Sequence, residues 1–289
     1  GPGEAGDVSG RDQCAGDETA SGEAAASVSW RDLDTGALVR ALVPDAAVLP
    51  AASARGSATF RGTPGTMSTC TLQAATDFES APARRGRIAV SGSAALRMDD
   101  GAWQLESSPR IAGAPARIRL RGDIDRDRAA NSTIGGSIAL QPSDIPALVA
   151  VLRATGLADL PREPQISGTL AVETALFGTV SNPRFQITAQ GRDIAAAGVR
   201  DVFADVTAVG TTPEMAVDGR LRQAGSNTVI ASGTVWPGEA RLDVRLTGTV
   251  REPARHAPGV PLGGVISLKG EVSGPFAAPT GTGTITVDD

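Results

Sequence analysis

The chain has 289 residues, a formal net charge of −5, 41% apolar residues, only 3% aromatic residues and no tyrosine. Its 35 glycines and 19 prolines are too many for a helical protein and suit short strands joined by turns. No strict Gly-X-Y period exists, which excludes collagen, and no apolar stretch approaches the roughly 18 residues of a membrane-spanning helix. No basic run is interleaved with aromatic residues, so nucleic acid is not expected as a partner.

A unit of about a hundred residues recurs along the chain in the order strand, capped helix, loop and further strands. Residues 1–26 are rich in small and charged side chains and form either a flexible segment or the degenerate edge of a repeat. We predict a first repeat over 27–138, a second over 139–252 and a truncated third over 253–289. Both ends of the chain therefore look like cuts through a longer protein.

Two short helices are predicted from capping residues and apolar spacing. The first begins after Asp34 or Thr35, and its apolar stripe consists of Leu38, Val39 and Leu42. The second begins after Ser143 or Asp144 and ends at Gly156, with Pro146 in its first turn. Its apolar stripe consists of Leu148, Val149 and Leu152.

Between the helices, apolar and polar residues alternate strictly, as in Arg117, Ile118, Arg119 and Leu120. Such alternation predicts antiparallel strands with one apolar and one polar face, whereas fully buried strands would be continuously apolar. Hairpin turns are predicted at Asp99–Gly101, at Asn182-Pro183 and at Pro237-Gly238. The apolar face is predicted to contain Ile88, Val90, Ile118, Leu120, Leu170, Val172, Leu176, Phe185, Ile187, Leu242, Val244, Leu246, Ile266, Leu268, Ile285 and Val287.

Residues with catalytic or metal-binding chemistry are sparse. The only histidine, His256, lies in a Pro-rich stretch, where a solvated loop residue is favoured over a general base. Asp123, Asp125 and Asp127 resemble the start of an EF-hand, but arginine stands where that loop needs glycine. A charged strand end or turn is therefore favoured over a calcium site, and we expect no enzyme activity, metal or cofactor.

Cys14 and Cys70 have no metal-ligand spacing. They form one disulfide in an oxidising compartment or both remain thiols, and the sequence leaves both states open.

One phrase suggests a family. Leu140-Gln-Pro-Ser-Asp-Ile-Pro-Ala-Leu148 is followed by Ile166-Ser-Gly-Thr-Leu-Ala-Val172 and by Gly178-Thr-Val-Ser-Asn-Pro-Arg-Phe185. This order resembles repeats of the TamB/AsmA-like family of Gram-negative envelope proteins, in which a helix precedes a strand, a glycine and a turn with proline. Glu271-Val-Ser-Gly-Pro-Phe-Ala-Ala-Pro279 is similar to the second half of that pattern.

The resemblance implies a mostly β fold, in which an elongated, curved antiparallel sheet forms a groove (a β-taco) with two short inserted helices. It implies that the apolar residues named above line a groove for phospholipid acyl chains, in a protein for intermembrane phospholipid transport or outer-membrane assembly. Such proteins lie in the periplasm, anchored in the inner membrane, here through a segment missing from this chain. Some members work with an outer-membrane barrel of the Omp85 class, here through a part not present.

Alternation alone fits other architectures as well. The same face could pack on a second sheet or on the helices, as in an ordinary sandwich or solenoid. The alternative function is that of a secreted or envelope β-solenoid with a structural or adhesive role. A regular rung of about 20 to 30 residues would favour that alternative, whereas the longer unit punctuated by helices argues against it.

Overall fold

The computed structural model contains sixteen strands and two short helices, and it describes residues 24–42, 49–62, 70–81, 87–125, 128–155, 166–196, 199–211, 213–223, 227–251, 264–276 and 278–288. The helices are α1 (Thr35–Leu42) and α2 (Ile145–Thr155). The strands are β1 (Ala24–Asp34), β2 (Leu49–Gly62), β3 (Thr71–Ser80), β4 (Arg87–Asp99), β5 (Ala102–Ser107), β6 (Arg110–Ile111), β7 (Ala114–Asp123), β8 (Gly135–Asp144), β9 (Ile166–Thr179), β10 (Asn182–Ala196), β11 (Val199–Thr211), β12 (Met215–Gln223), β13 (Asn227–Trp236), β14 (Arg241–Arg251), β15 (Val265–Pro275) and β16 (Thr280–Asp288).

Strand order in the sheet follows chain order, except that β6 pairs with β4 and β7. The fold class predicted from the sequence is confirmed, since the chain is mostly β, its sheet is antiparallel and its two helices are short. Among the registers of the described strands one short pairing is parallel, between Leu49–Ala51 of β2 and Arg87–Ala89 of β4.

The chain divides into two compact units. Unit 1 comprises residues 1–138, 151–158 and 178–181, and it contains β1 to β7 and α1. Unit 2 comprises residues 139–150, 159–177 and 182–289, and it contains β10 to β16 and most of β9. The division falls within β8 and α2.

Both helices begin as the sequence predicts, and an aspartate caps each one. The Asp34 carboxylate accepts hydrogen bonds from the Gly36 and Ala37 amides at 2.8 and 3.2 Å, and Asp144 accepts one from the Ala147 amide at 3.2 Å. Ser143 is not the cap, because its hydroxyl donates to the Gln141 carbonyl at 2.8 Å.

The predicted apolar stripe of α1 is wrong at Leu38, which is 44% exposed. The first turn of α1, rather than Leu38, contacts strand β2. Thr35 is buried and donates to the Ala52 carbonyl of β2 at 3.0 Å. Leu152 and Gly156, which complete the prediction for α2, lie outside the residues whose side chains are described.

The hairpins follow the predicted turn residues with one correction. Asp100 and Gly101 adopt positive φ of 49° and 84° in the β4–β5 turn, and Pro237 opens the turn before β14. The turn before β10, however, consists of Val180 and Ser181 rather than Asn182-Pro183. Asn182 and Pro183 begin β10 itself, because a proline at a strand start removes no essential ladder hydrogen bond.

Few apolar side chains are buried. Ile145, Leu176 and Met215 are the buried apolar residues described in unit 2. The buried apolar residues described in unit 1 are small apart from one leucine and one methionine, and they are Leu49, Ala51, Ala52, Ala54, Cys70, Met98, Ala114 and Ala116.

Candidate functional site

The strand registers of β10 to β16 place apolar residues opposite one another across seven strands. Directly paired residues of antiparallel strands lie on the same face, so these strands share one apolar face. We call this surface the unit 2 apolar face. It consists of Phe185, Ile187, Ala189, Gly191 and Ile194 of β10, Val202, Ala204, Val206, Ala208 and Gly210 of β11, Met215, Val217, Gly219, Leu221 and Gln223 of β12, Asn227, Val229, Ala231, Gly233 and Val235 of β13, Leu242, Val244, Leu246, Gly248 and Val250 of β14, Ile266, Leu268, Gly270, Val272 and Gly274 of β15, and Gly281, Gly283, Ile285 and Val287 of β16.

No second layer covers this face among the residues that the structure describes. Most of its side chains are half-buried, and Leu221, Ile285 and Val287 are 44%, 68% and 43% exposed. Seven strands about 4.8 Å apart, each contributing four or five alternate residues, span an area of roughly 800 Å². That area exceeds the few hundred Å² of contiguous apolar surface that a soluble monomer ordinarily exposes.

The smallest side chains form a row across the strands. Each member lies directly opposite the next on the neighbouring strand, and five of the seven are glycine or alanine. Larger side chains such as Ile187, Leu221 and Leu268 lie on either side. The row is thus a shallow furrow perpendicular to the strands, interrupted at β14 by the Leu246 side chain. We call it the middle row, and it consists of Ala189, Val206, Gly219, Ala231, Leu246, Gly270 and Gly283.

Amide groups mark one end of the unit 2 apolar face. Asn227 is buried, donates to the Gln223 side-chain oxygen at 3.1 Å and accepts a hydrogen bond from the Arg251 amide at 2.7 Å. Gln223 in turn donates to the Arg200 carbonyl at 3.0 Å. Four neighbouring strands, β11 to β14, are thereby linked at this end, where the face is polar rather than apolar.

The opposite face of unit 2 is mostly polar and carries cross-strand ion pairs. Arg222 contacts Asp205 at 2.7 Å, and Arg245 contacts Glu271 at 3.1 Å. These four side chains are 44% to 78% exposed, so each pair contributes little to stability. The contrast between the two faces makes the apolar one the candidate binding surface.

Unit 1 has its own apolar face, which differs by its aromatic side chains. Trp30 lies opposite Gly56, Phe78 opposite Gly92 and Trp103 opposite Gly122. The pairing of a large ring with a glycine lets the ring lie across the partner strand. We call this surface the unit 1 apolar face, and it consists of Ala26, Val28, Trp30, Ala54, Gly56, Ala58, Phe60, Leu72, Ala74, Thr76, Phe78, Gly92, Ala94, Leu96, Met98, Trp103, Leu105, Ser107, Ile118, Leu120 and Gly122.

One end of unit 1 is closed by α1 and by the parallel pairing of β2 with β4. The Asp34 carboxylate, which caps α1, contacts the Arg87 guanidinium at the start of β4 at 3.2 Å. Burial of this carboxylate raises its pKa, but hydrogen bonds from the Ala37 amide, from Arg87 and from the Gly36 amide outweigh it. The pKa of Asp34 therefore lies below its usual value.

The structure brings most of the predicted apolar residues together. Ile118 and Leu120 belong to the unit 1 apolar face, and Leu170, Val172 and Leu176 alternate along β9. Val90 pairs with Ile111 and Ile88 with Pro50, at the closed end of unit 1. The unit 2 apolar face contains Phe185, Ile187, Leu242, Val244, Leu246, Ile266, Leu268, Ile285 and Val287.

Sequence reasoning missed the central strands of this face. Val202, Val206, Val217 and Val229 lie on it, although none was among the predicted residues. The available signal was alternation in which glycine and alanine take apolar positions, as in Val217, Gly219 and Leu221. Small residues weaken a pattern that is recognised mainly from valine, leucine and isoleucine.

Two of the three aspartates that resemble a calcium loop make local hydrogen bonds. Asp123 ends β7 and accepts a hydrogen bond from the Thr133 hydroxyl at 3.2 Å, and Asp125 accepts one from the Arg128 amide at 2.9 Å. The described ranges contain no cluster of three metal-ligating side chains. Asp127, His256 and Cys14 lie outside the described residues, and Cys70 is buried.

A cavity of about 540 Å³ lies in unit 1, where Arg97, Gln104, Arg121 and Asp123 contribute to its polar lining. It is separate from the unit 2 apolar face. Across the part of the chain that is described, no helix has the length and apolar character required to span a membrane.

No protein-family model, no curated protein and no solved structure matches this chain.

Proposed function

We propose that the unit 2 apolar face binds the acyl chains of phospholipids, as part of a periplasmic protein for intermembrane phospholipid transport or outer-membrane assembly. The observation that carries this proposal is the width of the face, seven strands of apolar side chains without a covering layer among the described residues. The resemblance to TamB/AsmA-like repeats, carried mostly by residues 139–191, is the reason for proposing phospholipid as the ligand and the periplasm as the compartment.

The chemistry of the face suits a hydrocarbon chain. Burial of hydrocarbon gains about 0.8 kcal/mol per methylene, so a chain of about sixteen carbons gains on the order of 10 kcal/mol before ordering costs. Away from Gln223 and Asn227 the face has no side-chain hydrogen-bonding group that would hold a headgroup. We therefore expect binding that depends on the acyl chain and little on the headgroup.

The middle row indicates the orientation in which an acyl chain would lie on the unit 2 apolar face. An acyl chain is a narrow cylinder, and the middle row crosses all seven strands rather than running along one, with Leu246 as its largest side chain. A chain lying there would contact the larger side chains on both sides. The proposed role is therefore binding and passage of hydrocarbon, with no bond made or broken.

A pair of charge substitutions on β14 tests the proposal. Leu246 lies in the middle row, and its neighbour Thr247 lies on the opposite face across from Lys269. Leu246→Asp places a carboxylate in the hydrocarbon path and should weaken uptake of a fluorescent phospholipid from vesicles at least tenfold. Thr247→Asp adds the same charge outside the path and should bind like the unchanged chain.

Circular dichroism and hydrogen exchange establish that both variants keep their strands. Lipid extraction from the purified chain, followed by mass spectrometry, provides the second measurement. If the unchanged chain neither carries nor takes up phospholipid, the proposal is wrong. An apolar face that instead binds a protein would favour the structural or adhesive alternative.

A further inference from the structure

The cavity of about 540 Å³ in unit 1 lies on the side of the sheet that faces away from the unit 1 apolar face. Its charged side chains alternate along their strands with Met98, Trp103 and Gly122, which belong to the apolar face. Successive residues of a strand point to opposite faces, so these charged side chains share the polar face. On the apolar side the Trp103 ring lies over Gly122, and the floor of the cavity is therefore packed from behind.

Charges of opposite sign line the cavity in two separate rows. Each row crosses β4, β5 and β7, and its members lie directly opposite one another. The first, which we call the arginine row, consists of Arg97, Gln104 and Arg121. The second, which we call the aspartate row, consists of Asp99, Ala102 and Asp123. The rows are two residues apart along each strand, a distance of about 6.7 Å.

The two rows do not neutralise one another. Among the described residues, neither Arg97 nor Arg121 makes an ion pair with a carboxylate. Other arginines on the polar faces have such partners, as Arg55 has Glu79 and Arg245 has Glu271. The charges of the cavity are thus separated by sign and available to a ligand.

The polar neighbours of the two rows hold the lining side chains in place. The Asp123 carboxylate accepts a hydrogen bond from the Thr133 hydroxyl at 3.2 Å. The Gln104 amide nitrogen donates to the Glu106 carboxylate at 3.1 Å, which fixes Gln104 between the two arginines. Ala102 lies between the two aspartates and leaves space for a ligand there, because its side chain is a single methyl group.

We propose that this cavity binds a small zwitterion, with its oxyanion between Arg97 and Arg121 and its amine between Asp99 and Asp123. The two arginines are separated by two inter-strand spacings, about 9.6 Å, so their long side chains reach one oxyanion from both sides. A phosphate group offers oxygen acceptors to both guanidiniums, which bind such groups by paired hydrogen bonds. The four charges sum to zero, so neither a simple anion nor a simple cation matches the whole cavity.

The distance between the rows selects the length of the ligand. An α-amino acid carries its carboxylate and its amine on one carbon, too close together to reach both rows. Phosphoethanolamine has two carbons and an ester oxygen between its phosphorus and its nitrogen, so it spans most of the distance of about 6.7 Å. This group occurs both as a free solute and as the headgroup of a phospholipid.

The inference goes beyond the proposed binding of acyl chains and does not depend on it. The cavity belongs to unit 1 and the middle row to unit 2. Free phosphoethanolamine has no acyl chain, so its binding reports on the cavity alone. Because the lining side chains are exposed, we expect a weak site, with a dissociation constant on the order of 0.1 to 1 mM at low salt.

Titration of the isotope-labelled chain with phosphoethanolamine, followed by NMR, measures both affinity and location. The amide signals of the arginine and aspartate rows should shift. Inorganic phosphate, ethanolamine and glycine should each bind at least fivefold more weakly, because each satisfies one row or is too short for both. If phosphoethanolamine does not bind, or if inorganic phosphate binds equally well, the proposal is wrong.

Substitutions on β7 test the arginine row. Arg121→Gln removes one of its guanidiniums and should weaken phosphoethanolamine binding at least fivefold. Arg117→Gln is the matched control, since Arg117 is an exposed arginine on the same strand and the same face but does not line the cavity. It should bind like the unchanged chain. Equal affinity of the two variants would contradict the proposed site.

Asp123→Asn tests the aspartate row separately. The asparagine oxygen still accepts the hydrogen bond from Thr133, so the strand end is retained while the charge is lost. Binding of phosphoethanolamine should weaken at least fivefold, whereas binding of inorganic phosphate should not weaken. A parallel loss for both compounds would mean that the amine has no partner in this row and would overturn the proposal.

Vesicles distinguish the two sources of the ligand. Cosedimentation is measured with vesicles of phosphatidylethanolamine and of phosphatidylglycerol that carry the same acyl chains. The chain used carries Leu246→Asp, so that uptake of acyl chains at the unit 2 apolar face does not contribute. A preference for phosphatidylethanolamine that Arg121→Gln abolishes supports the site and identifies a lipid headgroup as its source. Binding of free phosphoethanolamine without that preference supports the site and identifies a soluble ligand.

Discussion

The two units are built from the same alternation of apolar and polar residues, yet the side chains on their apolar faces differ. The unit 1 apolar face carries Trp30, Phe60, Phe78 and Trp103, and its end is closed by α1 and by the parallel start of β2. The unit 2 apolar face is almost entirely aliphatic or glycine, with Phe185 at one corner. Eight of the eleven buried apolar residues described belong to unit 1, but only Ala54 and Met98 among these eight lie on its apolar face.

This difference shows that an apolar face on a sheet does not by itself determine whether the face packs internally or binds another molecule. In unit 1 the tryptophan rings fill the space above Gly56 and Gly122, so these glycines belong to packing. In unit 2, Gly219 of the middle row has no aromatic ring above it, so its position is open to another molecule. Gly56 and Gly122 are therefore structural, whereas Gly219 is available for binding.

The largest difference in stability between the two units is expected when valine replaces Gly56 of unit 1 or Gly219 of unit 2. A Cβ at Gly56 would collide with the Ala75 carbonyl and would lie 2.8 Å from the Trp30 ring, whereas a Cβ at Gly219 would meet Ala231 and Val206 at 3.6 and 3.7 Å. Gly56→Val should destabilise unit 1 by about 3 kcal/mol or more, and Gly219→Val should change stability by less than about 1 kcal/mol.

Hydrogen exchange followed by mass spectrometry distinguishes these outcomes, because peptides of the two units are measured separately. Faster exchange in β1 to β3 of Gly56→Val, with β12 unchanged in Gly219→Val, is the expected pattern. Equal losses at both glycines would contradict the distinction between a filled and an open face.

The fold class could be predicted because it depends on local signals. Alternation from Arg117 to Leu120 specifies a half-buried strand, and Asp34 and Asp144 satisfy orphan amides at the helix starts. Pro237 and the Asp99–Gly101 segment have the backbone preferences that their turns require. Each of these features is decided by residues that are close together in the chain.

The pairs that define the site could not be predicted, because register is a relation between distant strands. The residues around Trp30 do not indicate that Gly56 lies opposite it. Likewise, the residues around Asn227 in β13 do not indicate that its side chain accepts a hydrogen bond from the Arg251 amide of β14. Register depends on which faces pack together and on the length of each turn. The larger apolar residues of β10, β14, β15 and β16 were thus predictable, but those of β11 to β13 and the assembly of small residues into a middle row were not.

The next prediction concerns that row and is smaller, about 1.4 kcal/mol or a tenfold change in lipid affinity. Gly219→Phe fills the furrow between Val206 and Ala231 without a backbone collision, so the chain should fold but bind phospholipid at least tenfold more weakly. Gly238, in the turn after β13, has open space around its Cβ position, and Gly238→Phe is the matched control. Titration with a fluorescent phospholipid measures both, and equal affinity would place the acyl chain elsewhere.

The smallest effect is expected at the closed end of unit 1. Asp34→Ala removes the cap of α1 and the contact with Arg87, and it should cost about 1 kcal/mol, mostly from the cap because the pair is partly exposed. The pKa of Asp34 lies below its usual value, so its ionised form stabilises the fold. This contribution is present above the ordinary carboxyl pKa of about 3.9 and is lost as the pH falls through the lower pKa of the folded state.

Denaturation of the chain and of two variants at several pH values tests this sign. The stability difference between the unchanged chain and Asp34→Ala should shrink as the pH falls from about 6 to about 3. Asp34→Asn keeps a side chain that caps well but has no charge, so it should retain most of the cap and lose the acid-dependent part. A stability difference that grows on acidification would mean that the folded state favours the protonated carboxyl group and raises its pKa. In that case the Asp34–Arg87 ion pair would not stabilise the position of α1 at the closed end of unit 1.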